Sequence, residues 1–193
     1  MAEAAERRTR RVDSVCLYCG SSNDADPAFL AAAGDFGRHL AANGARLVYG
    51  GGGVGLMGAA ARAAHEAGGR VLGIIPEFLT DREGIYGAVE TVVVNDMPTR
   101  KLRMFEESDA FAVLPGGIGT LEEIIELLSW KRLDLHRKPV VFLNIQGFWD
   151  PLFELFQHTV DARLTPPAFT GAYAAVDRVE AILPALEAQA AEA

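Results

Sequence analysis

Short runs of apolar residues alternate along this chain with longer stretches whose apolar positions recur at helical spacing. The runs at 12–18, 46–49, 70–75, 90–94, 110–114, 139–144 and 173–176 have strand length and are rich in Val, Ile and Leu. Between them, residues 27–42, 56–67, 99–107, 121–133, 151–162 and 177–187 carry helical periodicity or strong helix formers. Strand followed by helix, repeated, predicts a parallel sheet, and nearly continuous apolar runs suit strands covered on both faces. The expected fold is therefore α/β: a doubly wound, Rossmann-like parallel sheet sandwiched by helices, with ligands at the carboxyl ends of the strands. No repeat of fixed period and no long Pro, Gly or Ser linker divides the chain. Residues 12–188 read as one domain, residues 1–11 as a disordered tail, and the closing EAQAAEA as a fraying end.

Composition narrows the function. A chain of 193 residues, half of them hydrophobic, can bury most of its apolar surface in one core. Its net charge of −8 argues against nucleic-acid and anionic-membrane partners, which need a basic face. Charges run through the first eleven residues with no apolar h-region, so a soluble, cytoplasmic protein is expected. Its ERRTRR stretch is assigned no function. Cys16 and Cys19 form a C-x-x-C without a second pair, and His39, His65, His136 and His158 lack ligand spacing. Neither a metal nor a cofactor is implied. Trp130, Trp149 and the Phe-rich stretch 142–156 read as core or as subunit contact.

The chemistry concentrates at PGGIGTLEE, residues 115–123, between an apolar run and a helical stretch. Gly116, Gly117 and Gly119 allow close backbone approach, and the helix that follows offers unpaired N–H groups to an anion. Thr120 adds a hydroxyl. Glu123 lies one turn further on, where an acid beside a bound phosphate is unfavourable unless it has a catalytic task. A second loop, GGGGVGLMG at 50–58, follows another strand, and its Gly53, Gly55 and Gly58 match GxGxxG with Glu77 near the distance of a ribose-binding acid. Two phosphate-type loops are thus expected on one edge. CGSSN, 19–23, places Ser21 or Ser22 against the same crevice, or else forms a turn and N-cap for the following helix. DMPTRKLR, 96–103, precedes a helix and brings Arg100 and Lys101 toward the phosphate site.

MPTRK followed by SDAFAVLPGGIGTLEE resembles the RK…PGGxGTxxE signature of the LONELY GUY family, cytokinin riboside 5′-monophosphate phosphoribohydrolases. The similarity runs from CGSS through VYGGGGVGLMG and GIIPE to KPVVFLN. It implies a Rossmann-like fold, a homodimer or larger homo-oligomer with sites near the subunit contact, and cleavage of a purine nucleoside monophosphate, AMP included, to free base and ribose 5-phosphate. It gives Arg100 and Glu123 catalytic roles and makes Gly116, Gly117, Ile118, Gly119 and Thr120 phosphate contacts, with Lys101 assisting. Glu83, Met97 and Glu122 complete the substrate-binding set, with Glu77 the alternative to Glu83; Ser21, Gly52 and Gly53 are further candidates. Pro98 stands where many relatives carry His. The label lysine decarboxylase, common for such proteins, finds no pyridoxal-phosphate setting around Lys101, Lys131 or Lys138. A non-catalytic nucleotide-binding module and an NAD(P)-dependent oxidoreductase are the alternatives.

Overall fold

Residues 11–192 are described by the structure, a computed structural model. The elements follow as β1 (Ser14–Tyr18), α1 (Pro27–Ala42), β2 (Arg46–Tyr49), α2 (Gly55–Glu66), β3 (Val71–Pro76), α3 (Thr80–Glu83), β4 (Glu90–Val94), α4 (Met97–Glu106), β5 (Ala110–Val113), α5 (Ile118–Arg132), β6 (Val140–Leu143), α6 (Asp150–Asp161), β7 (Ala174–Val176) and α7 (Ile182–Glu192). The expected disorder of residues 1–11 lies outside the described residues except for Arg11, which pairs with Asp13 and donates to the Asn43 carbonyl.

The strands form one seven-stranded sheet in the order β4-β3-β2-β1-β5-β6-β7, every pairing parallel. One face is covered by α1, α2 and α7, whose Phe36, Leu56 and Leu186 pack on Leu17, Leu47 and Ala112; the other by α4, α5 and α6, whose Met104, Ile124 and Phe156 pack on Cys16, Phe111 and Phe142. Helices on both faces are what make the strands continuously apolar. The edge strand β4 departs from this: none of its five residues is buried. Winding reverses between β1 and β5, so the loops after these two strands diverge into a crevice at their carboxyl ends.

Local chemistry sets the helix ends. The Asp26 carboxylate accepts from Ala28 N–H at 2.8 Å to start α1, while Asp96 accepts from Thr99 N–H at 2.7 Å to start α4. DMPTRKLR therefore lies within α4 and its cap instead of preceding the helix. Helix α7 likewise runs past the expected fray: Leu186 is buried, and the Gln189 amide donates to and accepts from the Val140 backbone, both at 3.1 Å. Trp149, Phe142 and Phe156 are core residues, whereas Trp130 is half-buried, edge-on to Phe105.

Helices α1 and α2 touch backbone to backbone at Gly37, where an added Cβ would sit 2.2 Å from the Ala60 carbonyl oxygen. Alanine gains roughly 1 kcal/mol in helix propensity over glycine, but here the helices must separate to admit it. Gly37→Ala is expected to lower stability by about 1–3 kcal/mol in urea unfolding; a stabilised variant would mean the contact is looser than this.

Candidate active site

The crevice between β1 and β5 opens into a pocket of about 730 Å³. Its floor is tied across the switch point by Leu114 N–H to the Tyr18 carbonyl and Gly20 N–H to the Pro115 carbonyl, each 3.0 Å. Cys19, Gly20, Ser21 and Ser22 line one wall, and residues 117–120 with Glu122 and Glu123 line the other. Helix α5 begins here at Gly117 with no side-chain cap, its first backbone bond running from Leu121 N–H to the Gly117 carbonyl. The first-turn N–H groups of this helix and its positive dipole end therefore point at the pocket. Gly116 stands behind this surface: a Cβ there would lie 2.2 Å from the Thr120 Oγ1, so its role is to seat the buried Thr120.

Arg100 reaches the pocket from α4. Its buried guanidinium donates from Nε to the Ile74 carbonyl at 3.2 Å and from Nη2 to the Gly50 carbonyl at 2.9 Å, with Nη1 3.7 Å from the Met97 Sδ. Backbone carbonyls just after β2 and within β3 hold it without a carboxylate partner, so N–H donors remain for a ligand. The glycine loop makes room for this arm: a Cβ at Gly50 would lie 1.9 Å from Arg100 Nη2, and one at Gly52 would lie 2.9 Å from both Glu83 Oε2 and Met57 Cε.

That loop is not the second phosphate cradle expected of it. The N–H groups at the start of α2 are already used: Gly55 donates to the Asn23 side chain at 2.8 Å and Leu56 to the Gly20 carbonyl at 3.0 Å. Gly53 donates to the Glu83 and Gly84 carbonyls at 3.0 and 2.7 Å. Neither Gly52 nor Gly53 lines the pocket, and neither does Glu77. The GxGxxG spacing here serves packing, and Asn23 caps α2 instead of the helix that follows it.

Of the acids, Glu83 at the end of α3 does line the pocket, and its Oε2 is buried without a hydrogen-bond partner. Glu123 is half-buried in the α5 wall. Burial pushes its carboxyl up to about 7; Arg100 opposes this, Glu122 adds to it, Lys101 opposes it and Glu83 adds to it. Lys101 stands apart from the pocket lining: its ammonium is clamped between Glu122 and Glu126, at 2.5 and 2.8 Å, joining α4 to α5. Although burial alone would pull its pKa down, these two acids raise it. It neutralises charge beside Glu123 and does not reach toward the phosphate cradle.

Cys19, Gly20 and Met57 are not among the site residues expected from sequence, yet all three line the pocket. The position of Gly20 beside the sheet's switch point is the available signal; for Met57, the signal is the pair of glycines at 50 and 52 that clear space for it. Cys16 and Cys19 are free thiols facing opposite cores, each pushed well above its ordinary pKa first by burial and then by Glu123. Among the described residues no cluster of three metal-ligating side chains occurs, and no helix is long and apolar enough to cross a membrane.

A doubly wound sheet with an uncapped helix N-terminus, a carbonyl-held arginine and a half-buried carboxylate at its switch point defines an α/β protein built to bind a phosphorylated ligand beside a reactive acid. A sequence profile for a family described as "Possible lysine decarboxylase" matches residues 57–186. A cytokinin riboside 5′-monophosphate phosphoribohydrolase of Arabidopsis thaliana is 41% identical over 92% of this chain and 78% of its own length. A probable enzyme of the same name from Oryza sativa subsp. japonica is 43% identical over 86% of this chain and 69% of its own. The chain belongs to this family, the LONELY GUY phosphoribohydrolases. Among solved structures, the molybdenum cofactor carrier protein from Chlamydomonas reinhardtii superposes with a TM-score of 0.71 at 25% identity, over 95% of this chain and 100% of that one. As for the profile's description, none of Lys101, Lys131 and Lys138 lines the pocket, so no lysine there is placed to carry a Schiff base.

Proposed function

We propose that this protein hydrolyses the N-glycosidic bond of purine nucleoside 5′-monophosphates, cytokinin-type nucleotides and AMP among them, to free base and ribose 5-phosphate. One observation carries the proposal: Glu123 stands one turn into the uncapped helix that would hold the 5′-phosphate, beside an arginine with free donors. The named activity of the relatives supports it.

Cleavage builds positive charge at C1′ and O4′ of the ribose. An ionised Glu123 stabilises that charge or orients the attacking water, and a water-poor wall strengthens its effect. Arg100 donates to the nucleotide from a fixed position. The first turn of α5 holds the phosphate, so binding energy remote from the bond being cut positions the reacting carbon. The unpartnered Glu83 Oε2 suits a ribose hydroxyl. Met57 and Met97 supply apolar wall. Oligomerisation is part of the proposal, as at least a homodimer: Leu102 on α4 and Ile118 and Ile125 on α5 are exposed, with Ile118, at 84%, lining the pocket.

Two charge-assisted hydrogen bonds to phosphate, at roughly 1.5–3 kcal/mol each, correspond to about 10²–10⁴-fold in kcat/KM. Comparing N6-isopentenyladenosine 5′-monophosphate with its unphosphorylated riboside should therefore give a ratio of at least about 10² in favour of the nucleotide. Equal cleavage of the two would make the protein a nucleosidase and remove the phosphate cradle from the account.

Acidity gives a second expectation. Because Glu123 ionises near pH 7 in the free protein, kcat/KM should rise with pH through about 7 and level off above it. A rate that is flat from pH 5 to 8, or that falls as Glu123 ionises, would exclude the carboxylate as the working form.

A further inference from the structure

A second cavity, of about 490 Å³, lies at the other end of the sheet, between the C-terminus of α5, the turn Pro167–Gly171 and the end of α7. Helix α5 separates it from the candidate active site by its fifteen residues, about 22 Å at 1.5 Å per residue. Lys131, Arg132 and Arg137 line it.

The charge here is unbalanced. Acids outnumber Lys and Arg by 26 to 18 in the chain, yet no ion pair within 4.0 Å among the described residues involves any of these three cations. Asp134 and Glu192 also line the cavity and still leave them unpaired. Lys131 is half-buried and donates one bond, to the Lys138 carbonyl at 2.9 Å, which leaves two of its three N–H donors. Burial pulls its pKa down to about 8, as expected for a cation taken out of water without a counter-ion. A helix dipole accounts for cations in the last turn of α5, but Arg137 lies beyond that helix.

The wall around them is rigid. His136 is fixed by the Leu127 carbonyl at 3.0 Å and by Lys138 N–H at 3.2 Å, and Lys138 donates to the Phe105 and Ser108 carbonyls. Phe169, packed against Phe156 and Tyr173, gives the cavity an apolar side. A fixed wall with an apolar side, a half-buried lysine and two exposed arginine forks at its rim matches a small molecule carrying phosphate on an organic body. We propose that this cavity is a second ligand site, distinct from the nucleotide pocket, in which Lys131, Arg132 and Arg137 bind a phosphorylated small molecule.

Inorganic pyrophosphate, titrated at low ionic strength and followed by backbone amide shifts, tests this. Shifts are expected at residues 131–137 as well as at 117–120, and in Lys131→Gln/Arg137→Gln the first group should vanish while the second persists and base release is unchanged. Arg132→Gln alone, at an exposed position, should weaken the first site at least fivefold. Shifts confined to 117–120, shifts unaltered by the substitutions, or the same shifts from chloride at matched ionic strength would each overturn the proposal. Because the two sets of amides are read separately, failure here leaves the nucleotide pocket untouched.

Discussion

Glu123→Gln is expected to fold more stably than the wild type above neutral pH while losing about 10³-fold or more in kcat. The two effects share one cause. In the folded protein the carboxyl is raised from 4.5 to about 7, so between those values the native state holds a proton that the unfolded chain releases. Wild-type stability therefore falls as pH climbs through this window and is flat above it. The full shift corresponds to at most about 3 kcal/mol, less whatever solvent in the pocket screens. Glutamine carries no charge to desolvate, so the variant should gain up to that amount at pH 8 and nothing at pH 4.5. In a chain of this size that is roughly 6–12 °C in Tm. Nucleotide binding should survive, since the proposed phosphate contacts are to α5 and not to Glu123. Calorimetric melts at the two pH values check the stability, and wild-type kcat in the variant would remove Glu123 from the mechanism.

Arg100→Ala should inactivate with the opposite sign in stability. The guanidinium satisfies the Gly50 and Ile74 carbonyls in a buried setting, and its loss leaves both unpaired, at about 1–3 kcal/mol each. A destabilisation of about 2–4 kcal/mol is expected, together with a drop of about 10²–10³ in kcat/KM from the lost donors to substrate. Arg100→Lys keeps the charge but has no fork to reach both carbonyls and the ligand, so it should restore part of the stability and little of the rate. If Arg100→Ala melted and turned over like the wild type, the residue would be neither strut nor ligand donor.

The parallel sheet sandwiched by helices could be anticipated because Val, Ile and Leu run unbroken where both faces are covered. The uncapped start of α5 could be anticipated because PGGIGT offers no side-chain cap at Gly117. Elsewhere the same residue types serve two purposes. Glycines at 50, 52, 53 and 58 look like phosphate contacts, yet the first two clear space for Arg100, Met57 and Glu83, and a Cβ at Gly58 would lie 2.2 Å from the Gly53 carbonyl oxygen. Asn23 sits in a turn of its own, and only the fold brings it to the start of α2. Lys101 neighbours Arg100 in sequence, but on a helix the next residue is turned by about 100°, so one side chain enters the crevice and the other meets α5. The fraying assigned to the C-terminus missed α7 beyond Glu187 because its anchor, Gln189 on Val140, joins residues far apart in the chain.

The central claim is that a phosphate-anchored nucleotide is cut beside Glu123. Purified protein should be incubated with N6-isopentenyladenosine 5′-monophosphate and, separately, with AMP, with free base and ribose 5-phosphate quantified by chromatography while nucleotide binding is followed by thermal shift. The account predicts base and ribose 5-phosphate in equal amounts from the wild type, and bound but uncleaved nucleotide in Glu123→Gln. Tight binding of both nucleotides by the wild type with no base released from either would contradict it and leave a nucleotide-binding module.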